Sequence, residues 1–243
     1  MITKITPVLA LLALLAAHPA GAETNLALYL GKSFTDDSDV RLRQPNDTGL
    51  TFHGVSWSDH SFEMPIYYGF RVTHFFGHRA DWGVALDFFH YKVFSDTNAI
   101  LPVTGTRRGA PVSDRERLGD TIQRLDMTHG VNYLTLNAIH RWRLHSDGPR
   151  YPRGRLQPYV GAGVGAVIPH VEARIGGVVK QGYQWRGPGC QLFAGASYAL
   201  SSHWALFGEY KYTHTTLTVD VPGGDAHTTL GSHHLVLGGS YRL

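Results

Sequence analysis

The sequence predicts an all-β fold, an eight-stranded antiparallel transmembrane β-barrel with long external loops and one short loop helix. Apolar and polar residues alternate in segments of about ten residues, and loops of unequal length separate these segments. No apolar run after Glu23 approaches the roughly 20 residues that a membrane-spanning helix needs. The 28 glycines and the hydrophobic fraction of only 43% fit strands that face lipid on one side and a polar lumen on the other.

The N-terminus has the pattern of a secretory signal peptide. Lys4 precedes an apolar run over 8–17, and the small residues Ala20-Gly21-Ala22 follow it. We therefore expect residues 1–22 to be cleaved and residues 23–243 to form one barrel domain. Cys190 is the only cysteine, so no disulfide can form within the chain. Stability must come from the core or from complete hydrogen-bond closure in lipid.

Eight segments have the alternation of a strand with one apolar face. They are 24–35, 62–76, 82–94, 129–143, 156–175, 183–200, 204–214 and 229–243. In the fourth segment, Leu134 and Leu136 have one parity, whereas Thr135 and Asn137 have the other. The side chains on the same face of the strand as Leu134 and Leu136 are expected to face lipid. The long connections at 36–61, 95–128 and 215–228 are expected to be external loops.

Two further sets of residues follow from parity. Charged and amide side chains are expected in the lumen, where they need partners; these are Arg71, Asp87, Asn137, Arg141, Gln191, Glu209 and Lys211. We interpret them as a stabilising network rather than a catalytic one. Aromatic residues are expected to form a girdle at the periplasmic interface; these are Trp82, Trp142, Tyr159, Trp204 and Tyr241.

The connection 95–128 contains a helix signal. Ser113-Asp114-Arg115-Glu116 has the form of a capping box, and Leu118, Ile122 and Leu125 follow at helical spacing. The same connection is basic, through Arg107, Arg108, Arg115, Arg117 and Arg124. It could face the phosphates of lipopolysaccharide in the outer leaflet, or it could be an ordinary solvated loop.

Polar residues continue two of the lipid-facing rows at the external rim. His90 and Lys92 continue the row of the third segment. His170, Glu172 and Arg174 continue that of the fifth. In the segment between them, the positions of the same parity are the small residues Gly130 and Asn132, which indicates a groove wide enough for a sugar headgroup. The alternative is an interfacial belt whose long side chains extend to water.

Several segments of the mature chain carry a family resemblance. They are Ser61-Phe62-Glu63-Met64-Pro65-Ile66-Tyr67-Tyr68-Gly69, Leu86-Asp87-Phe88-Phe89-His90-Tyr91-Lys92-Val93, His129-Gly130-Val131-Asn132-Tyr133-Leu134-Thr135-Leu136-Asn137, Pro158-Tyr159-Val160-Gly161-Ala162-Gly163-Val164, Ile168-Pro169-His170-Val171-Glu172, Gly187-Pro188, Glu209-Tyr210-Lys211 and His233-His234. Together they resemble the outer-membrane lipid A oxidases over nearly the whole mature chain. The His-x-Lys and Pro-His-x-Glu pieces are the most specific.

This resemblance implies oxidation of the proximal glucosamine of lipid A to 2-aminogluconate. Molecular oxygen is then the co-substrate, hydrogen peroxide the coproduct, and a divalent metal cation is required. The implied partners are lipid A or lipopolysaccharide and the surrounding membrane lipid. No nucleic-acid partner is expected.

The residues suggest roles within such a site, which we assign by their chemistry. His90, Lys92 and Asn132 are the candidate catalytic residues, with His90 taking up a proton. His170 and Glu172 are the candidate metal ligands. Lys92 and Arg174 are expected to bind negative charges of the lipid. The alternative to an enzyme is a non-catalytic structural or adhesion barrel of the small OmpA-like type.

Overall fold

The structure is a computed structural model that describes residues 22–77, 80–144, 151 and 154–243. Apart from Ala22, the expected signal peptide lies outside the described residues. In chain order the elements are β1 (Glu23–Gln44), β2 (Thr48–Ser58), β3 (Tyr68–Phe75), β4 (Trp82–Ser95), β5 (Ile100–Arg107), β6 (Ala110–Arg117), α1 (Leu118–Thr121), β7 (Ile122–Arg141), β8 (Leu156–Ile175), β9 (Val178–Tyr183), β10 (Pro188–Ala199), β11 (Trp204–Val221) and β12 (Gly224–Arg242).

Eight of these strands close into a ring in the order β1, β3, β4, β7, β8, β10, β11, β12, with every neighbouring pair antiparallel. Leu30 of β1 pairs with Leu237 of β12, which closes the ring. Closure satisfies backbone hydrogen-bonding groups that lipid cannot satisfy. The predicted eight-stranded barrel is therefore confirmed. In the described part of the chain, no helix is long and apolar enough to span a membrane.

The outer wall of the ring is apolar, as the alternation predicts. Leu134 and Leu136 are exposed on it, and Thr135 between them is buried. Trp82, Trp142, Trp204 and Tyr241 are exposed large aromatic residues, as a girdle requires.

The expected girdle position of Tyr159 is wrong. Its side chain is buried and its hydroxyl donates to Glu209 Oε2 over 3.0 Å. The inward space exists because Gly195 on the paired strand β10 has no side chain: a Cβ there would lie 2.7 Å from the Tyr159 hydroxyl oxygen.

The expected long external loops are largely β-structure. β1, β11 and β12 continue beyond the ring, β2 folds back on β1, and the β5–β6 hairpin extends the sheet from β2. The inner side of this extension has an apolar core of fully buried residues, among them Val40, Leu42, Leu50, Phe52 and Val103. Burial of this core explains why the segments are ordered strands rather than loops.

The helix signal in 95–128 is realised only in part. Ser113 lies in β6, where Ser113 pairs with Thr104 of β5. The helix α1 has four residues and begins after Arg117, which makes no side-chain cap. The local capping pattern is overridden because the β5–β6 ladder satisfies the same backbone groups along the whole segment. Two of the loop arginines are neutralised there: Arg107 pairs with Glu116, and Arg117 with Asp120.

Two predicted strand boundaries also differ. The segment 62–76 is a strand only from Tyr68, and Tyr67 before it is buried in the core. The segment 183–200 spans the end of β9 and all of β10, so the paired hairpin β8–β9 precedes the ring strand.

A buried ionic network fills the middle of the lumen. Arg71 donates to both Glu209 oxygens over 2.6 and 2.8 Å and to Asp87 Oδ2 over 3.0 Å. Lys211 Nζ donates to the same Asp87 oxygen over 2.9 Å, and the Tyr29 hydroxyl donates to Asp87 Oδ1 over 2.6 Å. The predicted network around Glu209 and Lys211 is confirmed: Arg71 is the partner of Glu209, and Asp87 binds both Arg71 and Lys211.

The remaining lumen is filled by polar and aromatic side chains. Arg141 forms a bidentate pair with Glu23, over 2.7 and 2.8 Å, so the first residue of β1 is tied to β7. Gln191 donates to Asn137 Oδ1 over 2.6 Å. Between Arg71 and Arg141 a cavity of about 60 Å³ remains. The interior of an eight-stranded barrel is just wide enough for side chains to fill it, and here they do.

Candidate functional site

An irregularity in β7 shapes the external rim of the outer wall. Asp126 pairs with Glu172 and Val131 pairs with Pro169, so β7 uses two more residues than β8 over the same stretch. Gly130 within this bulge has φ +96°, a conformation that favours glycine. Bulges redirect side chains and are common next to functional sites. Here the bulge brings His129 over His170 of β8, with ring centroids 4.6 Å apart.

On the β4 side of the bulge, His90 and Asn132 form a buried pair. Asn132 Nδ2 donates to the carbonyl oxygen of Ile168 over 3.0 Å, which leaves Asn132 Oδ1 to face His90 Nδ1 at 3.0 Å. An amide oxygen can only accept, so His90 Nδ1 carries the proton of this hydrogen bond. In the neutral imidazole, Nε2 then holds the lone pair. Nε2 is buried and has no hydrogen-bond partner among the described residues.

Two neighbours fix the orientation of the His90 ring. Tyr68 stacks on it, with centroids 5.1 Å apart and an interplanar angle of 18°. Gly130 lies against the ring near Nδ1 and Cε1, because a Cβ at that position would be 2.2 Å from His90 Nδ1. The imidazole is therefore held in one position on the outer wall.

Lys92 is placed differently from what its expected role requires. Its side chain is 3% exposed, and Nζ donates to the carbonyl oxygen of Glu63 over 2.9 Å. Lys92 anchors the segment before β3 to the outer wall in this conformation. Contact between Lys92 and a lipid headgroup, which stays a prediction, would need the Glu63 segment to move.

On the β8 side, His170 and Glu172 come together with His129. One ligand atom of each of the three residues lies within 4.8 Å of the other two. His129 Nδ1 is 3.7 Å from Glu172 Oε1. The side chain of His129 is 57% exposed, whereas that of Glu172 is 13% exposed. Two imidazoles and a carboxylate are an accepted donor set for divalent first-row transition metals.

Neighbouring groups hold the Glu172 carboxylate in place. Arg124 Nη1 lies 2.8 Å from Glu172 Oε2, and the Thr128 hydroxyl donates to Oε1. Arg124 Nε also donates to Asp126 Oδ2 over 2.6 Å. The cluster is thus a connected set on the external side of the apolar band.

Burial changes the acidity of two groups in this region. Burial lowers the pKa of the His170 imidazole, and His129 acts in the same direction against the opposing influence of Glu172. A lowered pKa keeps His170 neutral near pH 7, the form that binds metals. Burial raises the pKa of the Asp126 carboxyl, against the opposing effect of Arg124.

The structure therefore divides the predicted site residues into two groups. His90 and Asn132 form one pair, and His170 and Glu172 belong to a second cluster. Arg174 is exposed in β8 opposite Arg124. His129, Thr128 and Arg124 complete the second cluster and were not assigned to the site from the sequence. Alternation could not identify His129 and Thr128, because the bulge changes the register between Asp126 and Val131.

Solved structures with a similar fold are small outer-membrane barrels. Neisserial surface protein A is 13% identical, covering 91% of this chain and 97% of that chain with a TM-score of 0.42. The N-terminal β-barrel domain of Pseudomonas aeruginosa OprF is 12% identical, covering 91% and 99% with a TM-score of 0.41. The outer membrane protein AlkL, solved in lipid bilayers, is 18% identical, covering 93% and 94% with a TM-score of 0.45.

No curated protein sequence matches this chain. The family model for the outer membrane protein beta-barrel domain, in contrast, matches residues 8–242. The match includes every strand of the closed ring. The chain belongs to the outer membrane protein beta-barrel domain family and is a small β-barrel protein of the bacterial outer membrane.

Proposed function

We propose that this barrel is a lipid A modifying enzyme that oxidises the proximal glucosamine of lipid A to 2-aminogluconate, with molecular oxygen as co-substrate. The observation that carries the proposal is the convergence of the two most specific family-like segments on one patch of the outer wall. His90 from one segment and His170 with Glu172 from the other flank the bulge of β7. An outer-leaflet lipid would present its headgroup at this height of the wall.

The electrostatics of the patch suit an anionic glycolipid. Arg124, Asp126 and Glu172 together carry one net negative charge when all are ionised. Adding a divalent cation reverses the local charge to one net positive, to which exposed Arg174 contributes further. The negative charges that remain on 1-dephosphorylated lipid A would be attracted to such a surface. Binding of the headgroup then depends on the cation, in agreement with the requirement that the family resemblance implies.

The proposed reaction balances as a two-electron oxidation. The C1 hydroxyl of the 1-dephosphorylated glucosamine loses its proton, and the C1–H bond supplies two electrons and a second proton. Dioxygen takes up the two electrons and two protons and leaves as hydrogen peroxide. The resulting lactone is opened by water to the aminogluconate, so the lipid gains one oxygen atom overall.

The side chains have separate roles in this proposal. His90 would accept the hydroxyl proton at Nε2, since Asn132 holds the proton of the ring on Nδ1. Nε2 is buried in this conformation, so this step needs the neighbouring side chains to move and admit the sugar. Asn132 and Gly130 are positioning residues. His170 and Glu172, with His129, would hold the metal, which when bound supplies Lewis acidity and a route for electrons to dioxygen. Lys92 and Arg174 would bind negative charges of the lipid, Lys92 only after the Glu63 segment has moved.

The rim residues are tested in purified, refolded barrels supplied with 1-dephosphorylated lipid A in air. We expect His90→Ala, which removes the general base, and Glu172→Ala, which removes a metal ligand, each to lower the rate of lipid oxidation at least about a hundredfold. The measurement is hydrogen peroxide release together with the lipid mass spectrum.

His214→Ala is the matched control, because it removes an exposed imidazole from β11, two strands away from β8. It should retain the wild-type rate. Heat-modifiable mobility verifies that each variant is folded. Wild-type rates in both rim variants would eliminate this site.

A non-catalytic structural or adhesion barrel is the second candidate. The family match supports it more directly than it supports an oxidase, because the matched domain is defined by the barrel and not by a reaction. The ordered external sheet of β2, β5 and β6 also offers a regular surface for contacts outside the membrane. Under this candidate the rim cluster binds lipid headgroups and leaves their covalent structure unchanged.

A further inference from the structure

We propose that His129, His170 and Glu172 form a two-histidine, one-carboxylate centre for a redox-active divalent first-row metal, of which iron(II) is the type. This inference names the metal class of the site in the proposed function and rests on it only for the identity of the lipid substrate. The metal site itself can be tested without any lipid.

The donor atoms are nearly at coordination distance. Ligands bound at about 2.1 Å on one side of a common ion lie about 3 Å apart, and opposite ligands lie about 4.2 Å apart. The three donors here lie within 4.8 Å of one another, and the His129 to Glu172 pair is already at 3.7 Å. A convergence of up to about 2 Å, which side-chain rotation can supply, would complete the set on one side of the ion.

Residues around the three ligand side chains make contacts that would orient them toward a metal. Thr128 donates to the Glu172 oxygen that faces His129, and Arg124 holds the other oxygen. The His170 ring packs edge-on against His129 and, on β9, against Tyr183, with centroids 4.6 and 4.7 Å apart. His170 Nδ1 is buried without a hydrogen-bond partner among the described residues. Such outer contacts commonly change metal affinity by about 10–100-fold.

The donor chemistry distinguishes among metals. Magnesium and calcium prefer oxygen ligands only, so two imidazoles argue against them. Two histidines and one carboxylate on one side of the ion, with the other positions open, are characteristic of non-haem iron(II) centres that use oxygen. The open side is available here because His129 is largely exposed on the outer wall. Zinc with a water as fourth ligand is the competing outcome.

The test uses tag-free barrel in detergent, stripped with a chelator and titrated anaerobically with iron(II) and with cobalt(II). We expect one tightly bound ion per chain. His129→Ala, His170→Ala and Glu172→Ala should each weaken binding more than about a hundredfold, and Thr128→Ala by about 10–100-fold. His214→Ala should bind as the wild type does. Folding of each variant is verified by heat-modifiable mobility.

The visible spectrum of the cobalt(II) form separates the two metal classes. Weak absorption bands, typical of five or six ligands, support the iron-type centre with open positions. Intense bands of tetrahedral cobalt would overturn it in favour of a zinc-type site. Absence of binding, or binding unchanged in all three ligand variants, would overturn the site altogether. Specific metal binding without any lipid A oxidation would contradict the proposed function and leave the metal site intact.

Discussion

Replacing Asp87 with asparagine is expected to lower the free energy of unfolding by about 3–5 kcal/mol, the cost of breaking a buried ion pair from one side. Asp87 accepts hydrogen bonds from Arg71 and Lys211, and all three side chains are almost completely buried. The four charges of Arg71, Lys211, Asp87 and Glu209 balance, so the substitution leaves one uncompensated positive charge in the lumen. Glu209 lies 3.8 Å from Lys211 and already binds Arg71.

Asp220→Asn is the matched control. Asp220 pairs with Arg186 over 2.5 Å, but both side chains are partly exposed, and such pairs contribute only about 0.2–1 kcal/mol. Equilibrium urea unfolding in lipid vesicles measures both variants. Similar losses in the two would mean that the lumen is hydrated in the folded state. Lipid oxidation per folded Asp87→Asn protein should equal that of the wild type, and a selective loss of activity would move the site into the lumen.

Replacing Gly130 with alanine is expected to have the largest effect on the outer wall. The backbone at φ +96° disfavours any side chain, and the new Cβ would lie 2.2 Å from His90 Nδ1 and 2.4 Å from His90 Cε1. Both atoms belong to a rigid ring fixed by Asn132 and Tyr68, so the ring must leave its position. We expect destabilisation of about 1–3 kcal/mol and loss of the His90 to Asn132 hydrogen bond.

Gly54→Ala separates backbone strain from the clash. Gly54 has φ +72°, but nothing lies within 4 Å of a Cβ at that position. The Gly54→Ala variant should therefore be destabilised less than Gly130→Ala, and the position of the His90 ring should be unchanged in it. Nitrogen chemical shifts of the His90 imidazole report its tautomer directly. An unchanged Nδ1-protonated signal in Gly130→Ala would show that Gly130 does not position His90.

The closed ring and the side chains that fill its lumen could be predicted from the sequence, because the alternation of apolar and polar residues is a local property of each strand. Leu134 faces lipid and Asn137 faces the lumen, as the parity requires. The alternation does not predict the external strands, because these strands depend on pairing between segments that are distant in the sequence. Ser113 and its neighbours satisfy a helix-capping pattern, and only pairing with β5 decides that they form a strand.

The candidate site was predictable only up to the bulge in β7. His90, Asn132, His170 and Glu172 follow from the polar continuation of lipid-facing rows. His129 does not, since two extra residues between Asp126 and Val131 place it on the wall. The buried state of Lys92 depends on the Glu63 carbonyl, a contact between distant segments that alternation cannot reveal. The inward position of the Tyr159 side chain likewise depends on a contact between strands, the space left by Gly195 of β10.

Whether this barrel oxidises lipid A is tested directly by the mass spectrum of lipid A from an aerobic host that carries 1-dephosphorylated lipid A. We expect the wild-type gene to add one oxygen atom to lipid A, and the empty vector and the Glu172→Ala gene to add none. Both barrels should be present, folded, in the outer membrane. Lipid A of unchanged mass in the presence of folded wild-type barrel would contradict the account and favour the non-catalytic barrel.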